Sequence, residues 1–497
     1  MQLKQLLEVL DVTNSTEVLD VEINSVSYHS QKVEKGDLFV CVKGYKTDGH
    51  KYLPDAIQRG AVAAVVEDYQ ADLHIPQYVV SDSRIALAKL GSQLYKNPSS
   101  KMTMIGITAT NGKTTTSYMT NAILEKEGRR TGLIGTVVVK NGDTSIPAEL
   151  TTPESLDLQK YLNDMVENDV THVTMEVSSA ALELHRVEGV EYDIVSLNNM
   201  SKEHMEMHGT FERYFEVKSS LIRNASPDAY AVLNLDDKYS ASLVDQTEAK
   251  VISFGLTNNN GYLHCKDLDL STGRGKFTVE ILKPFEASGI KYEPSEFKVE
   301  LAVPGLHSVY NAMVAITIAL LSGVRVTTIQ ETLKEFSGVP RRFEFIHEDE
   351  IKVVDDHFAN PGNINVTLQT LDFMDYENLH LVYAIRGQRG ATINRENAEV
   401  IVKWAEKLKI KEVIATRSVS HTTSKDEVTD EEVSAFQEVM DKAGIRVDLY
   451  NELPDAIHEA LTHTTKGDLV LLAGCQGMDY GAGIALEALD KENVEVK

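Results

Sequence analysis

The densest run of reactive side chains in this sequence is Ile105–Thr116, IGITATNGKTTT. Thr110, Asn111, Gly112, Lys113, Thr114 and Thr115 stand together there, a mixture suited to holding a phosphate chain. Unpaired backbone N–H groups and the positive end of a helix dipole attract phosphate at a strand-to-helix turn. The Lys113 ammonium reaches terminal phosphates, and the Thr114 hydroxyl is an oxygen ligand for Mg2+. Glu176 sits at the end of an apolar run and offers the same cation a carboxylate oxygen. His204 and His208 have the spacing of a zinc pair, but the cation expected here works among phosphate oxygens, so zinc is rejected. Lys218 follows on a helical stretch.

Regular elements must hold these groups. Lys101–Thr108, KMTMIGIT, predicts a strand and Ser117–Glu127 a helix, which puts the Gly/Asn/Lys/Thr cluster on the turn between them. The general loop pattern G-x-x-x-x-G-K-[ST] wants Gly where Ile107 stands; Gly106 lies one position earlier. Thr171–Val187 opens as a strand with Glu176 at its C-terminal end, where α/β sheets place their ligands. Another strand ends at Asn198-Asn199. Thr152 before Pro153 reads as a helix start with Pro at the first position. Upstream, Val33–Gly44 predicts a strand, and Tyr52–Glu67 a helix, a break at Gly60 and a second strand. Val303–Gly323 predicts a mostly core-packed helix, and Gly and Pro mark a linker over Phe336–Ile346. The last 150 residues or so hold four strands, IKVVDDH, ENLHLVYAIRG, KEVIATRS and DLVLLAGCQG, with helices between.

This alternation predicts an α/β fold of three domains: an N-terminal α/β domain over 1–100, a central P-loop NTPase-like domain with a mostly parallel sheet over 101–337, and a C-terminal Rossmann-like α/β domain over 338–497. A length of 497 residues suits three cores. With 42% apolar and 25% charged residues the chain reads as soluble and globular. No apolar run reaches membrane-spanning length, and the N-terminus reads as an amphipathic helix rather than a signal peptide, so a cytoplasmic location without membrane insertion is expected. A net charge of −26 argues against nucleic acid as a partner. Cys41, Cys265 and Cys475 are too few and too scattered for a disulfide framework or a structural zinc site.

The loop ATNGKT resembles that of the Mur ligase superfamily, ATP-dependent amide ligases of peptidoglycan precursor and folylpolyglutamate synthesis; most members have Gly where Ala109 stands. The segment Ser25–Glu67 is similar to the UDP-binding N-terminal domain of MurE-type ligases, which add the third residue of the muramyl peptide. There the family's Asp-Ser-Arg becomes His29-Ser30-Gln31, while Gly44, Asp48, Gly49 and His50 are kept. The resemblance therefore implies substrate contacts from Ser30, Gly44 and His50, with the usual uridine contact in question. It also implies that Thr151 and Thr152 of TTPE contact the muramyl dipeptide. From EVSSAAL followed by Arg, it implies that Glu176 binds metal and that Ser178 and Arg186 bind substrate, with Ala180 replacing a family His. In NNMSKEHMEMHGTFERYFEVK it implies that His204 helps bind a second Mg2+ and that Lys218 is carbamylated to support the metal. Asn311 would read adenine, Arg342 would face the ATP phosphates and Asp356 the ribose.

Departures gather after Arg342. DYAHTPD becomes Asp356-His357-Phe358-Ala359-Asn360-Pro361-Gly362, GCGGDRD becomes Ile385-Arg386-Gly387-Gln388-Arg389-Gly390, and AGKGHE becomes Ala473-Gly474-Cys475-Gln476-Gly477-Met478. The DNPR signature of diaminopimelate-adding enzymes is absent, the matching loop reading Thr416-Arg417-Ser418-Val419-Ser420, which argues against ordinary diaminopimelate selection and leaves lysine by elimination. The expected function is ATP-dependent ligation of a free amino acid to a UDP-N-acetylmuramyl peptide through an acyl phosphate, with ATP and two Mg2+ ions. Two alternatives stay open: ligation to another substrate, and a non-catalytic nucleotide-binding sensor. Oligomeric state is not legible, and a monomer is the simplest expectation.

Overall fold

A phosphate-binding turn needs a strand to enter it and a helix to leave it, and both form where the apolar pattern places them. The computed structural model describes residues 1–15, 21–44, 47–201 and 208–495. Two units divide the chain: Met1–His264 with Leu282–Glu293 and Val314–Thr328, and Cys265–Ile281 with Pro294–Met313 and Ile329–Lys497.

The first unit begins with a sheet of β1 (Asn14–Ser15), β2 (Val26–Ser27), β3 (Leu38–Val40), β4 (Ala63–Val66) and β5 (Gln77–Val79) in the order β1-β5-β4-β3-β2. All its pairs are parallel except β1 with β5. The helix Leu53–Arg59 ends, as expected, at Gly60, whose φ of +113° closes it in the left-handed region.

The second sheet of this unit carries β6 (Thr103–Thr108), β7 (Thr131–Ile134), β8 (Val138–Asn141), β9 (Thr144–Pro147), β10 (His172–Glu176), β11 (Ile194–Leu197), β12 (Tyr230–Asn234) and β13 (Lys250–Gly255). Their order is β13-β12-β11-β6-β10-β7-β8-β9, parallel except for β8 and β9 at the edge. β6 is central and buried almost throughout, which is why it reads as an unbroken apolar run rather than an alternating one. β14 (Leu263–Asp269) starts beside β13 and carries the chain out of this unit.

In the second unit β15 (Arg274–Ile281) pairs antiparallel with a long strand, Ser295–Pro304. A separate six-stranded sheet holds the C-terminal core. Its strands run in the order Glu344–Glu348, Lys352–Asp356, Leu469–Ala473, Leu379–Ala384, Glu412–Thr416, Arg446–Tyr450. Only the first is antiparallel. The four strands expected here are present. The two outer ones were not expected: Glu344–Glu348 begins within the Gly/Pro linker and runs past its end, and Arg446–Tyr450 is a half-exposed edge with no apolar run.

One helix start is corrected. The helix expected from Thr152 runs Ser155–Glu167 with Glu154 at its N-cap position. The Thr152 hydroxyl is instead committed to the neighbouring strand end, donating to the Glu176 carbonyl at 2.8 Å. Among the described residues, no helix is long and apolar enough to cross a membrane.

Candidate active site

The helix Lys113–Lys126 starts directly from the loop, with Gly112 at φ +86° making the turn. Its first amides therefore point into the loop, the arrangement that attracts phosphate. The loop is braced from β11: Thr110 N–H donates to the Asn199 carbonyl at 3.0 Å, and Asn111 exchanges hydrogen bonds with the Asn199 side chain at 3.0 and 2.9 Å. Asn198 in turn donates to the Thr116 hydroxyl at 3.1 Å. This clamp was not foreseen; the Asn-Asn pair was legible only as a strand end. Thr115, the next loop residue, is half-buried.

Glu176, fully buried at the end of β10, faces the loop across one hydrogen bond. Thr114 Oγ1 donates to its Oε2 at 3.0 Å, and Thr136 donates from its hydroxyl at 3.0 Å and its N–H at 2.9 Å. Thr151 joins through Thr136, hydroxyl to hydroxyl, at 3.1 Å. A Cβ on Gly135 would lie 2.3 Å from Glu176 Oε1, so only glycine lets the carboxylate sit here. A buried carboxylate ringed by hydroxyl oxygens, with no Lys or Arg ion pair among the described residues, is a hard oxygen donor set that fits Mg2+. His204, expected to help bind a second Mg2+, lies outside the described residues.

Lys218 is not the surface lysine a helix position permits: it is 1% exposed on the helix Phe211–Arg223. Its Nζ donates to the Ala109 carbonyl, the same oxygen that Lys113 Nζ approaches at 2.9 Å, and lies 5.1 Å from the Tyr214 ring centroid. Lys113 also donates to the Thr110 carbonyl at 3.1 Å. Two ammonium groups thus converge on one loop carbonyl. His208 is buried against Tyr214, with ring centroids 5.3 Å apart, and its Nδ1 lies 4.0 Å from the Glu183 carboxylate.

On the far side of β10, Thr152 accepts from Ser178 N–H at 3.1 Å, and Ser178 caps the short helix Ser179–Glu183. Arg186 donates to the Thr152 carbonyl at 3.2 Å and pairs with Glu154 at 2.7 Å; its Nε is buried with no partner. Glu154 is shared with Arg84 at 3.5 Å, and Tyr28 donates to Asp157 at 2.5 Å, so the N-terminal sheet reaches this cluster directly. Neither Arg84 nor Tyr28 carried a motif that would have singled it out.

Ser30, Gly44 and His50 make their contacts within the N-terminal sheet. Ser30 is buried beside Asp55, whose pKa its hydroxyl holds below the ordinary carboxylate range. Gly44 N–H donates to the Thr47 carbonyl at 2.9 Å. The buried His50 ring uses both nitrogens inside the fold, Nδ1 against Asp48 at 2.6 Å and Nε2 accepting from Glu67 and Asp68 N–H at 3.1 and 3.2 Å. It anchors the turn.

In the second unit, Asn311 is buried on the helix Leu306–Leu321. Asp356 ends its strand nearly buried and accepts from Phe343 N–H at 2.8 Å, Phe358 N–H at 3.1 Å and the Thr367 hydroxyl at 2.8 Å. Burial raises its pKa, and those donors oppose the rise. Arg342 is half-buried and donates to the Arg341 carbonyl at 3.1 Å.

Comparison with known proteins identifies the family. The family model of the Mur ligase middle domain matches residues 107–319, that of the Mur ligase, glutamate ligase domain matches 341–476, and that of the Mur ligase family, catalytic domain matches 22–94. The UDP-N-acetylmuramoyl-L-alanyl-D-glutamate–2,6-diaminopimelate ligase of Caldanaerobacter subterraneus is 35% identical, covering 92% of this chain and 90% of that one. The Bacillus velezensis enzyme of the same name is 34% identical over 96% and 94%. A solved structure of a diaminopimelate ligase of that name superposes with a TM-score of 0.71 at 22% identity, covering 99% of this chain and all of the other. The ADP complex of MurF ligase from Thermotoga maritima gives 0.62 at 21% identity, over 95% and 98%. On these matches the three-domain architecture is shared, and the chain belongs to the Mur ligase family.

Proposed function

We propose that this chain is an ATP-dependent ligase that joins a free amino acid to a UDP-N-acetylmuramyl peptide in peptidoglycan precursor synthesis, working in the cytoplasm. The observation that carries this reading is the convergence of Lys113, Thr114, Glu176 and Lys218 on one loop. A carboxylate oxygen of the muramyl peptide attacks the γ-phosphorus of ATP, ADP leaves, and an acyl phosphate results. The amine then attacks the acyl carbon and phosphate departs from a tetrahedral intermediate. Lys113 and the amides after Gly112 stabilise charge on the transferred phosphoryl group. Thr114 and Glu176 would hold one Mg2+, with a second beside His204. Such ions, when bound, neutralise charge on the phosphate oxygens.

Two ammonium groups on the Ala109 carbonyl repel each other; loss of a proton from the Lys218 ammonium and reaction of the resulting amine with CO2, with loss of a second proton, would replace one of them with a carbamate anion. Thr151, Thr152, Ser178 and Arg186 would receive the peptide; the unpartnered Arg186 Nε suits a substrate carboxylate. Ser30 and Gly44 would line the nucleotide end with His50 fixing the turn, Asn311 and Asp356 would bind the nucleoside of ATP, and Arg342 its phosphates. We assign the uridine-nucleotide domain to 1–100, the ATP domain to 101–337 and the amino-acid domain to 338–497, in a monomer. The rebuilt loops after Arg342 favour an acceptor chosen differently from that of the diaminopimelate-named relatives.

The test is phosphate release from ATP with UDP-muramyl-dipeptide, screened over the common amino acids and diaminopimelate. One amine should stimulate release and yield a product heavier by that residue. Bound ATP with no release for any amine would sink the assignment to this peptide.

A further inference from the structure

Arg186 keeps a donor in reserve. Its backbone N–H is fixed to the Ala181 carbonyl at 2.8 Å, its Nη1 donates to the Thr152 carbonyl at 3.2 Å, and its Nη2 meets Glu154 Oε1 at 2.7 Å. The Nε is buried with no partner, in a side chain that is 12% exposed. A guanidinium offers Nε and Nη2 as parallel donors along one edge, spaced to take both oxygens of a carboxylate. Glu154 takes only one end of that edge. Its other oxygen, Oε2, is turned towards Arg84 Nη1 at 3.5 Å.

Both partners of that second contact are held by their backbones, and all these residues lie in the first unit. Arg84 stands in the first turn of the helix Ser83–Leu94, where the Asp82 cap accepts from Arg84 and Ile85 N–H at 2.8 and 3.0 Å. Glu154 directly precedes the helix Ser155–Glu167, whose first turn is tied to the N-terminal sheet by Tyr28 donating to Asp157 at 2.5 Å. Arg84 and Glu154 are mostly buried, so water and salt screen their attraction little. Two guanidinium groups thus compete for the two oxygens of one carboxylate, and the fold gives each of them one.

We propose that Arg84 is a positioning residue for the peptide substrate: by holding Glu154 Oε2 it keeps the Arg186 Nε open to a substrate carboxylate. This inference rests on the ligase reading above. Without the Arg84 charge, the Glu154 carboxylate turns about its last bond, sets Oε2 on Nε and closes the edge with a bidentate pair inside the protein. Arg186 is then satisfied before the peptide arrives, and the peptide must break that pair to bind. The N-terminal sheet thereby acts on the peptide end of the substrate as well as on its nucleotide end.

The experiment titrates the full-length chain with UDP-muramyl-dipeptide and, separately, with UDP, for wild type, Arg84→Gln, Arg84→Lys, Glu154→Gln and the double variant Arg84→Gln/Glu154→Gln. Arg84→Gln should weaken the dipeptide roughly tenfold or more and UDP by less than about threefold, with lysine restoring part of the loss because it keeps the charge. With Glu154 already glutamine, the same Arg84→Gln change should weaken the dipeptide by less than about threefold, since no carboxylate remains to close Arg186. A residue that only braces the fold would lose as much in either background, so a tenfold loss that persists there would overturn the proposal alone. Equal dipeptide binding by wild type and Arg84→Gln would do the same. Failure of the wild type to bind the dipeptide would overturn the ligase reading and this inference together. Should the glutamine variant fail to fold, Arg84→Met, which keeps the buried stem and removes the charge, takes its place in the same cycle.

Discussion

The phosphate loop of the first unit and the carboxyl-edge loops of the C-terminal sheet are built on opposite plans. Around the loop, each group has a partner one strand away. Glu176 is held by Thr114 and Thr136, and Asn111 by Asn199, with glycine at 112 and 135 where the geometry demands it. At the C-terminal edge, non-glycine residues sit at positive φ at Arg341, Phe343, Phe358, Gln388 and Ser418, and beside the ion-paired Arg341, Arg389 and Arg417 the Arg386 Nε is buried with no partner. A site made by one turn and its neighbouring strands keeps its residues in short motifs; a site assembled from four or five loops can exchange one donor for another far along the chain.

The largest effect that separates the two regions is expected from Lys113→Ala. ATP-dependent ligation should fall by about a thousandfold or more, while the melting temperature stays near wild type; near-normal turnover in a phosphate-release assay would remove the loop from the chemistry. Glu176→Gln should lower turnover by roughly a hundredfold and raise the Mg2+ concentration needed for half-maximal rate. An unchanged Mg2+ dependence would mean that Glu176 only braces Thr136.

Two glycines sharpen the comparison further. Gly135→Ala presses on the end of a side chain, Glu176, and should cost more in activity than in stability. Gly387→Ala presses on the Asp426 backbone and should cost about 1–3 kcal/mol in denaturant unfolding. The reverse ranking would contradict the contrast between the regions.

The smallest effect is on pH. Burial lowers His172 in the first unit to about 4, and His307 and His357 in the second to about 4 and 3. These histidines stay neutral when folded and protonate when unfolded. Their contribution to stability is therefore present above the ordinary histidine pKa of about 6.5 and is lost as pH falls from there towards 3 or 4. In the second unit burial raises Asp355 to about 7, which works in the opposite sense over the same range, so the histidine effect is read by difference: His307→Asn should lessen the loss of stability between pH 7 and 5 in denaturant unfolding, and an unchanged pH dependence would contradict it.

What the sequence revealed follows the same division. The strand, the turn and the helix of the loop, and Glu176 at the end of β10, were readable because a buried strand shows as an apolar run and a phosphate turn needs Gly, Lys and Thr at fixed offsets. Thr152 was misread as a helix cap because its competing acceptor, the Glu176 carbonyl, lies 24 residues away. The Asn199 clamp joins residues 88 apart, and the contact of Arg386 with Ala359 spans 27; pattern within a window does not register pairings of that kind. The outer strand Arg446–Tyr450 escaped because an exposed edge needs no apolar face.

The central claim is that this chain activates a carboxylate as an acyl phosphate, and oxygen transfer tests it most directly. Peptide substrate labelled with 18O in its reacting carboxylate is converted with ATP and the amine found in the screen, and the released phosphate is analysed by mass. One labelled oxygen per phosphate is the expected result, because the attacking carboxylate oxygen leaves with the phosphoryl group. Phosphate free of label alongside ligated product would contradict the mechanism.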